Sequence, residues 1–323
     1  MTDSAVQAKV VEMYERRPFP SVADPFRKTA EEMELRLKLL GLTPQDYQGK
    51  SVLDVGCGTG EYTSWYASRG ARVTGIDLSR TSLERAKAYA LSYGLSNVAF
   101  ERMSALDLRF PDNSFDLTYS MGVLHHTTNP FQGFCEMVRV TRPGGIVIVS
   151  VYNKFGRLRH NCKQKWINFM AGDDTGRRVA LAKLWFPGTC RRLKRRMRSE
   201  SDTILYDAFG IPHESQHSIG EILGWFARKR LTYTGAFGPV TIRDVLFAAG
   251  LPEFASFEPS LEAFPLSRMA GRTLRGAARL VRARNGAHPF KPPSILSRAL
   301  IQTAWFVLGF RFSIFSLAGR KEQ

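Results

Sequence analysis

The chain has 323 residues, 44% of them hydrophobic, which is enough to bury a core in one large domain or two smaller ones. Its four cysteines (Cys57, Cys135, Cys162, Cys190) are widely spaced, with no CxxC pair and no histidine cluster at ligand spacing, which argues against a structural zinc and for reduced thiols. The net charge of +17 is uneven: residues 1–150 carry 17 basic and 17 acidic residues, so the whole excess falls in 151–323. A neutral half joined to a strongly basic one implies an anionic partner for the second, either a membrane surface or nucleic acid.

In chain order, residues 4–17 and 29–40 predict helices separated by the proline-rich turn RRPFPSVADP. The opening stretch MTDSAVQAKVVEMYERRP mixes acidic with basic side chains and lacks an apolar run, so the expectation is a cytoplasmic protein without a leader. From Lys50 to Val151 short apolar runs alternate with amphipathic stretches, the pattern of a parallel sheet with helices on both faces. SVLDVG, ARVTGID, NVAFERM, FDLTYSM and GGIVIVSVY predict strands one to five. EYTSWYASRG, SRTSLERAKAYALSYG and FQGFCEMVRVT predict the intervening helices, with Ser79 as an N-cap and Gly70 and Gly94 at helix ends. Downstream, KQKWINFMAG and TGRRVALAKLW predict helices, CRRLKRRMRSE a basic helix or loop, HSIGEILGWFARKR a further helix and LTYTGAFG a late strand of the same sheet. The expected organisation is a helical lid over 1–48, a core over 49–151, a basic insertion over 152–217, a return to the sheet over 218–250 and a basic, apolar extension over 251–323.

The loop after strand one carries chemistry. A dinucleotide fingerprint, G-x-G-x-x-G, would follow Gly56 and Gly58 with a glycine at position 61, where a pyrophosphate approaches the helix N-terminus. Here Gly60 is followed by Glu61. A carboxylate there repels a pyrophosphate but attracts a sulfonium and an ammonium, as does Asp54, so the loop favours a cationic adenosine cofactor. Asp77, 23 residues after Asp54, ends strand two, where a carboxylate accepts hydrogen bonds from both ribose hydroxyls.

V-L-D-V-G-C-G-T-G, G-I-D-L-S, F-P-D-N-S-F-D-L, G-V-L-H-H and R-V-T-R-P-G-G follow one another at the ends of successive strands. Together they resemble the class I S-adenosylmethionine-dependent methyltransferases of the ubiquinone/menaquinone-methylase-like group, over Lys50 to Val151. The resemblance implies an α/β, Rossmann-like, doubly wound and mostly parallel seven-stranded sheet. It also implies S-adenosylmethionine as cofactor and no metal. Carried over residue by residue, Gly56, Cys57, Gly58 and Gly60 match the loop along the methionine moiety, Asp54 the acid that orients it, and Asp77 and Leu78 the ribose and adenine contacts. Ser104-Ala105 stands where the family usually has an Asp and a small residue at the adenine edge, and a neutral Ser104 contributes less there than a carboxylate. Met121, with Gly122, would border the transferred methyl group. Cys57 itself is expected only to pack, and Asp116 to pair structurally.

His125 and His126 follow strand four at the rim where an acceptor must lie. Methyl transfer from a sulfonium is an in-line displacement that needs an aligned acceptor and removal of one proton, which suits a histidine; the alternative is that they anchor the next helix. YERRPFP resembles a segment ahead of the cofactor domain in some bacterial members, making Tyr14 and Phe19 candidates to close over the site or to pack on the sheet edge. His213 and His217, after YDAFGIP, are candidates for the acceptor side or for a solvated loop.

In the basic half, residues 177–198 hold nine basic residues and no acid, and 268–284 hold six arginines, the first five at helical spacings of three and four. Residues 299–319 carry a single charge, Arg311, while FRFSIF alternates like a strand, so a packed element leads, with membrane-surface contact behind it and a span least favoured. Three functions remain open: a methyltransferase acting on a small or lipid-like acceptor at the inner membrane face, an RNA or protein methyltransferase docking through the basic half, and a non-catalytic cofactor-binding relative. The absence of RNA-binding motifs makes nucleic acid the weaker partner.

Overall fold

The computed structural model describes residues 3–18, 33–197, 201–238, 240, 292–307 and 313–323. Phe19 and the arginine-rich stretch 268–284 lie outside them. Seven strands, β1 (Ser51–Val55), β2 (Arg72–Asp77), β3 (Val98–Arg102), β4 (Phe115–Met121), β5 (Thr141–Tyr152), β6 (Leu231–Phe237) and β7 (Ile314–Lys321), form one sheet in the order β3-β2-β1-β4-β5-β7-β6. β1 to β5 run parallel, and β7 is antiparallel to both β5 and β6. The doubly wound α/β fold read from the sequence is the one observed.

Burial explains why these runs are strands. β1 is apolar on both faces, because helices cover the sheet above and below: Val52 packs with Trp65, Tyr66, Ile146 and Ile148 on one side, while Leu53 packs with Val147, Val149, Phe134 and Phe315 on the other. The helices start where short polar side chains satisfy free amides. Ser79 accepts from the Ser82 amide ahead of α3 (Arg80–Ser92), and Asn129 accepts from the Gln132 amide ahead of α4 (Pro130–Val140). Before them, α1 (Asp3–Arg16) and a helical stretch over 33–39 precede the sheet, and α2 (Glu61–Ser68) follows β1.

After β5, helices α5 (Leu158–Ala171), α6 (Thr175–Trp185) and α7 (Pro187–Met197) close with the turn Tyr206–Gly210 around their own core of Ile167, Val179, Ala182, Leu205 and Phe209. The segment CRRLKRRMRSE, left between helix and loop, is helical as far as Met197. The chain then returns through α8 (Ile219–Arg228) and β6. The apolar stretch 299–319 is not one element. Its first part belongs to helix α9 (Ile295–Val307) and its last part is β7, which enters the sheet between β5 and β6. Among the described residues no helix is long and apolar enough to cross a membrane.

Glycine lets β6 and β7 fit. A Cβ on Gly319 would sit 2.7 Å from the Phe226 ring, and one on Gly235 would meet the Leu40 backbone at 2.5 Å, beside a register shift in β6. The order of strands reverses between β1 and β4, so the crevice at their carboxyl ends is where an open α/β sheet places its ligand.

Candidate functional site

At that crevice the loop from β1 into α2 is fixed by backbone bonds from Gly56 and Cys57 to the Ile76 carbonyl, both 2.8 Å. A side chain on Gly56 would collide with Val123, and one on Gly60 with Ala86 at 2.8 Å, so both must be bare for the loop to pack. Gly58 differs. Its φ is +53°, and a Cβ there would meet no atom within 4 Å, so its backbone faces open space that a ligand can approach. Cys57 is buried against Gly75, and burial pushes its thiol up, which fits packing and not reactivity.

Three carboxylates surround this loop, partnered by hydroxyls and amides. Asp54, buried at the end of β1, accepts from Thr63 Oγ1 at 2.6 Å; burial pushes its pKa up to about 7, with Asp77 and Glu61 adding to the rise. Glu61 accepts from Thr59 Oγ1 at 2.7 Å. Asp77 accepts from the Gly58 amide at 3.0 Å and the Ser79 amide at 2.8 Å, tying the loop to β2, and burial raises it above the usual carboxylate range. This donor set fits a cationic, hydroxyl-bearing ligand and would repel a pyrophosphate.

Beside Asp77 lies an open cleft of about 620 Å³, lined by Leu78, Ser104 and Leu106 below and by Gln7, Ala8 and Val11 of α1 above. Ser104 Oγ is engaged by the Leu106 amide at 3.1 Å, and Ala105 is buried behind it. α1 is fastened over the cleft by Glu15, which accepts from the Arg80 amide (2.7 Å), the Thr81 amide (3.1 Å) and Thr81 Oγ1 (2.9 Å) at the N-terminus of α3. Burial opposes the charged form of Glu15, but these bonds outweigh it and hold the carboxyl below its usual range.

A second group of residues meets at the carboxyl ends of β4 and β5. Asp207, in the turn after α7, accepts from Tyr14 at 2.8 Å and from Tyr152, the last residue of β5, at 3.3 Å. The His125 ring stacks on Tyr152 with centroids 3.7 Å apart, and His126 lies edge-on to both Tyr152 (5.3 Å) and Tyr14 (6.2 Å). The Arg157 guanidinium sits 3.6 Å from the Tyr152 centroid and pairs with Glu214 at 3.1 Å, both side chains being buried. His126 Nδ1 is 3.3 Å from the His213 carbonyl, whereas neither ring nitrogen of the fully buried His125 has a partner among the described residues. Burial pushes both histidines down, His125 the further, so both rings are neutral near pH 7. Met121 and Gly122 lie between the two groups: Met121 Sδ is 3.8 Å from the buried Arg36, and a Cβ on Gly122 would be 4.0 Å from His125.

The residues singled out from the sequence thus fall into two adjoining clusters, with three exceptions. His217 is not a solvated loop residue: it is buried between Ser215 (2.9 Å) and Glu221 (2.8 Å). His213 contributes its carbonyl, and Phe19 lies outside the described residues. Asp116 accepts from the Ser51 amide and Arg142, a structural pairing as expected. Sequence reasoning missed Tyr152, Arg157, Asp207 and Glu214. Tyr152 was within reach, because it ends a strand at the ligand-bearing edge, and Asp207 lies inside the noted YDAFGIP; Arg157 and Glu214 gave no signal.

Residues 53–149 match the family model described as a methyltransferase domain. The chain is 37% identical over 155 residues to a ubiquinone biosynthesis O-methyltransferase of Paracidovorax citrulli (47% of this chain, 63% of that one). It is 36% identical over 146 residues to a demethylmenaquinone methyltransferase of Tropheryma whipplei (45% and 56%), and 37% over 136 residues to methyltransferase GfsG of Streptomyces halstedii (41% and 48%). The chain spans about half the length of the curated relatives it matches. With this strand order, an acid-lined glycine loop and a carboxylate closing β2, residues 53–149 form a class I S-adenosylmethionine-dependent methyltransferase domain, similar to those of the ubiquinone/menaquinone-methylase-like group.

Proposed function

We propose that the protein transfers a methyl group from S-adenosylmethionine to a small, lipid-like acceptor. The observation that carries this reading is the half-buried Tyr14–Asp207–Tyr152 cluster with His126 at the carboxyl ends of β4 and β5, a group of aromatic rings with a few polar tips. Two relatives named for quinone substrates support an acceptor of that kind. When bound, the cofactor supplies an electrophilic methyl on its sulfonium. Asp54, Glu61 and the Gly58 backbone would hold its amino-acid part, Asp77 its ribose, and Leu78 and Ser104 its adenine. Tyr14 and Tyr152, fixed by Asp207, orient the acceptor, and the neutral His126 takes its proton.

Labelled S-adenosylmethionine, incubated with the protein and separately with lipid, RNA and protein extracts, tests the acceptor class. Label should enter the lipid fraction, and label confined to RNA or protein overturns the reading. Asp207→Asn should lower transfer by about 10²-fold or more, the range for a mispositioned acceptor, while cofactor binding measured by calorimetry stays unchanged.

A further inference from the structure

The helices that close over Asp207 carry a second apolar face, turned outward. Trp166 is 52% exposed, Phe169 80%, Met170 40%, Leu184 70% and Trp185 37%. The three rings adjoin: the Trp166 centroid lies 6.3 Å from that of Phe169 and 5.9 Å from that of Trp185, bridging α5 to the end of α6, with Met170 and Leu184 next to them in sequence. Scattered exposed hydrophobes are ordinary, but a joined patch of aromatic and aliphatic side chains on a protein surface marks something it meets. The same helices are strongly cationic, with 11 Lys and Arg against 2 acids over 158–197. Lys165 and Lys183 adjoin the patch in sequence, and Arg191, Arg192 and Arg195 are exposed on α7.

We propose that this outer face of α5 and α6 docks on an anionic lipid bilayer. Tryptophan favours the headgroup level, where its ring is half in hydrocarbon, and Phe169, Met170 and Leu184 reach the acyl boundary while the lysines and arginines meet anionic headgroups. A second copy of the chain fits less well, because two such faces would bring like charge against like charge. A nucleic acid stacks on rings but gains little from Leu184 and Met170. The placement also has a use, which rests on the lipid-like acceptor proposed above. The inward side of α5 holds the turn that carries Asp207, through His160 Nε2 and the Ala208 carbonyl at 2.9 Å, so the bilayer surface and the acceptor enclosure are separated by about one helix diameter, roughly 10–12 Å.

The test is sedimentation of the full chain with phosphatidylcholine vesicles, with and without phosphatidylglycerol, at low salt. The chain should sediment with the anionic vesicles, and brominated lipid should quench its tryptophan fluorescence. The double variant Trp166→Ala, Phe169→Ala removes exposed side chains only, and should weaken partitioning about ten-fold or more while calorimetric cofactor binding, reporting the fold, is unchanged. The proposal falls if the chain ignores anionic vesicles, or if the double variant binds them as well as the parent, which would place adsorption elsewhere in the basic half. It falls equally if the two substitutions abolish RNA binding or split a dimer without affecting vesicles. Vesicle binding that persists when no lipid extract is methylated would keep the docking face and discard the lipid-like acceptor.

Discussion

Asp54 is a carboxyl whose burial works against the cofactor role proposed for it. Burial leaves it half protonated near pH 7, yet a cofactor with a sulfonium and an ammonium is attracted only to the carboxylate. Binding must therefore release a proton whenever the pH is below about 7, and affinity should rise by up to about ten-fold per pH unit between pH 6 and 7 and then level off. Calorimetry across that range checks it, and Asp54→Asn should flatten the profile. Asp77 acts differently, since its carboxylate already ties Gly58 to β2 before any ribose is present. Asp77→Ala removes both the tie and the ribose contact proposed for it, and should cost about 1–3 kcal/mol of cofactor binding.

α1 is held down by Glu15 at the N-terminus of α3 and by Tyr14 at Asp207, with a longer pair from Lys9 to Asp173. Cutting the first by Glu15→Ala should loosen the helix by about 1 kcal/mol, as for a lost cap, seen as roughly five-fold faster amide exchange over 3–16 and a faster cofactor off-rate, with the sheet unaffected. Element by element, β1, β4 and β5 were legible in the sequence because parallel strands buried on both faces leave apolar runs between turns, and the edge strand β3, half-buried or exposed throughout, was legible from its place in the strand–helix alternation. β7 was not. The alternation of FRFSIF suggested a strand ending near 315, whereas the strand runs from Ile314 to Lys321 through SLAG, whose small residues make sense only once Phe226 is packed over Gly319. The proposed cofactor half of the site was readable because its residues lie close together in sequence, from Asp54 to Ser104. The proposed acceptor half was not, because Tyr14 and Asp207 are 193 residues apart and only the completed fold joins them.

The whole molecule depends on that late strand. Phe315, Leu317 and Ala318 are fully buried, and β7 lies between β5 and β6, hydrogen-bonded to both. Deleting 314–323 forfeits about 1.5–3 kcal/mol for each large side chain. It also opens two strand edges, together a large share of the roughly 5–15 kcal/mol that holds a domain. The truncated chain should show dye binding and a broad thermal transition instead of a cooperative one, so removing the apolar tail is no clean way to separate membrane insertion from adsorption. Synthesis meets the same dependence in time. β6 emerges from the ribosome with no neighbour to pair with, and at about 5–20 residues per second the stretch 238–313 keeps it waiting on the order of ten seconds before β7 arrives. Throughout that interval the edge of β5 and the whole of β6 are open to strands of other nascent chains, so yield in the cell should be set by whatever shields them until residue 321 is out.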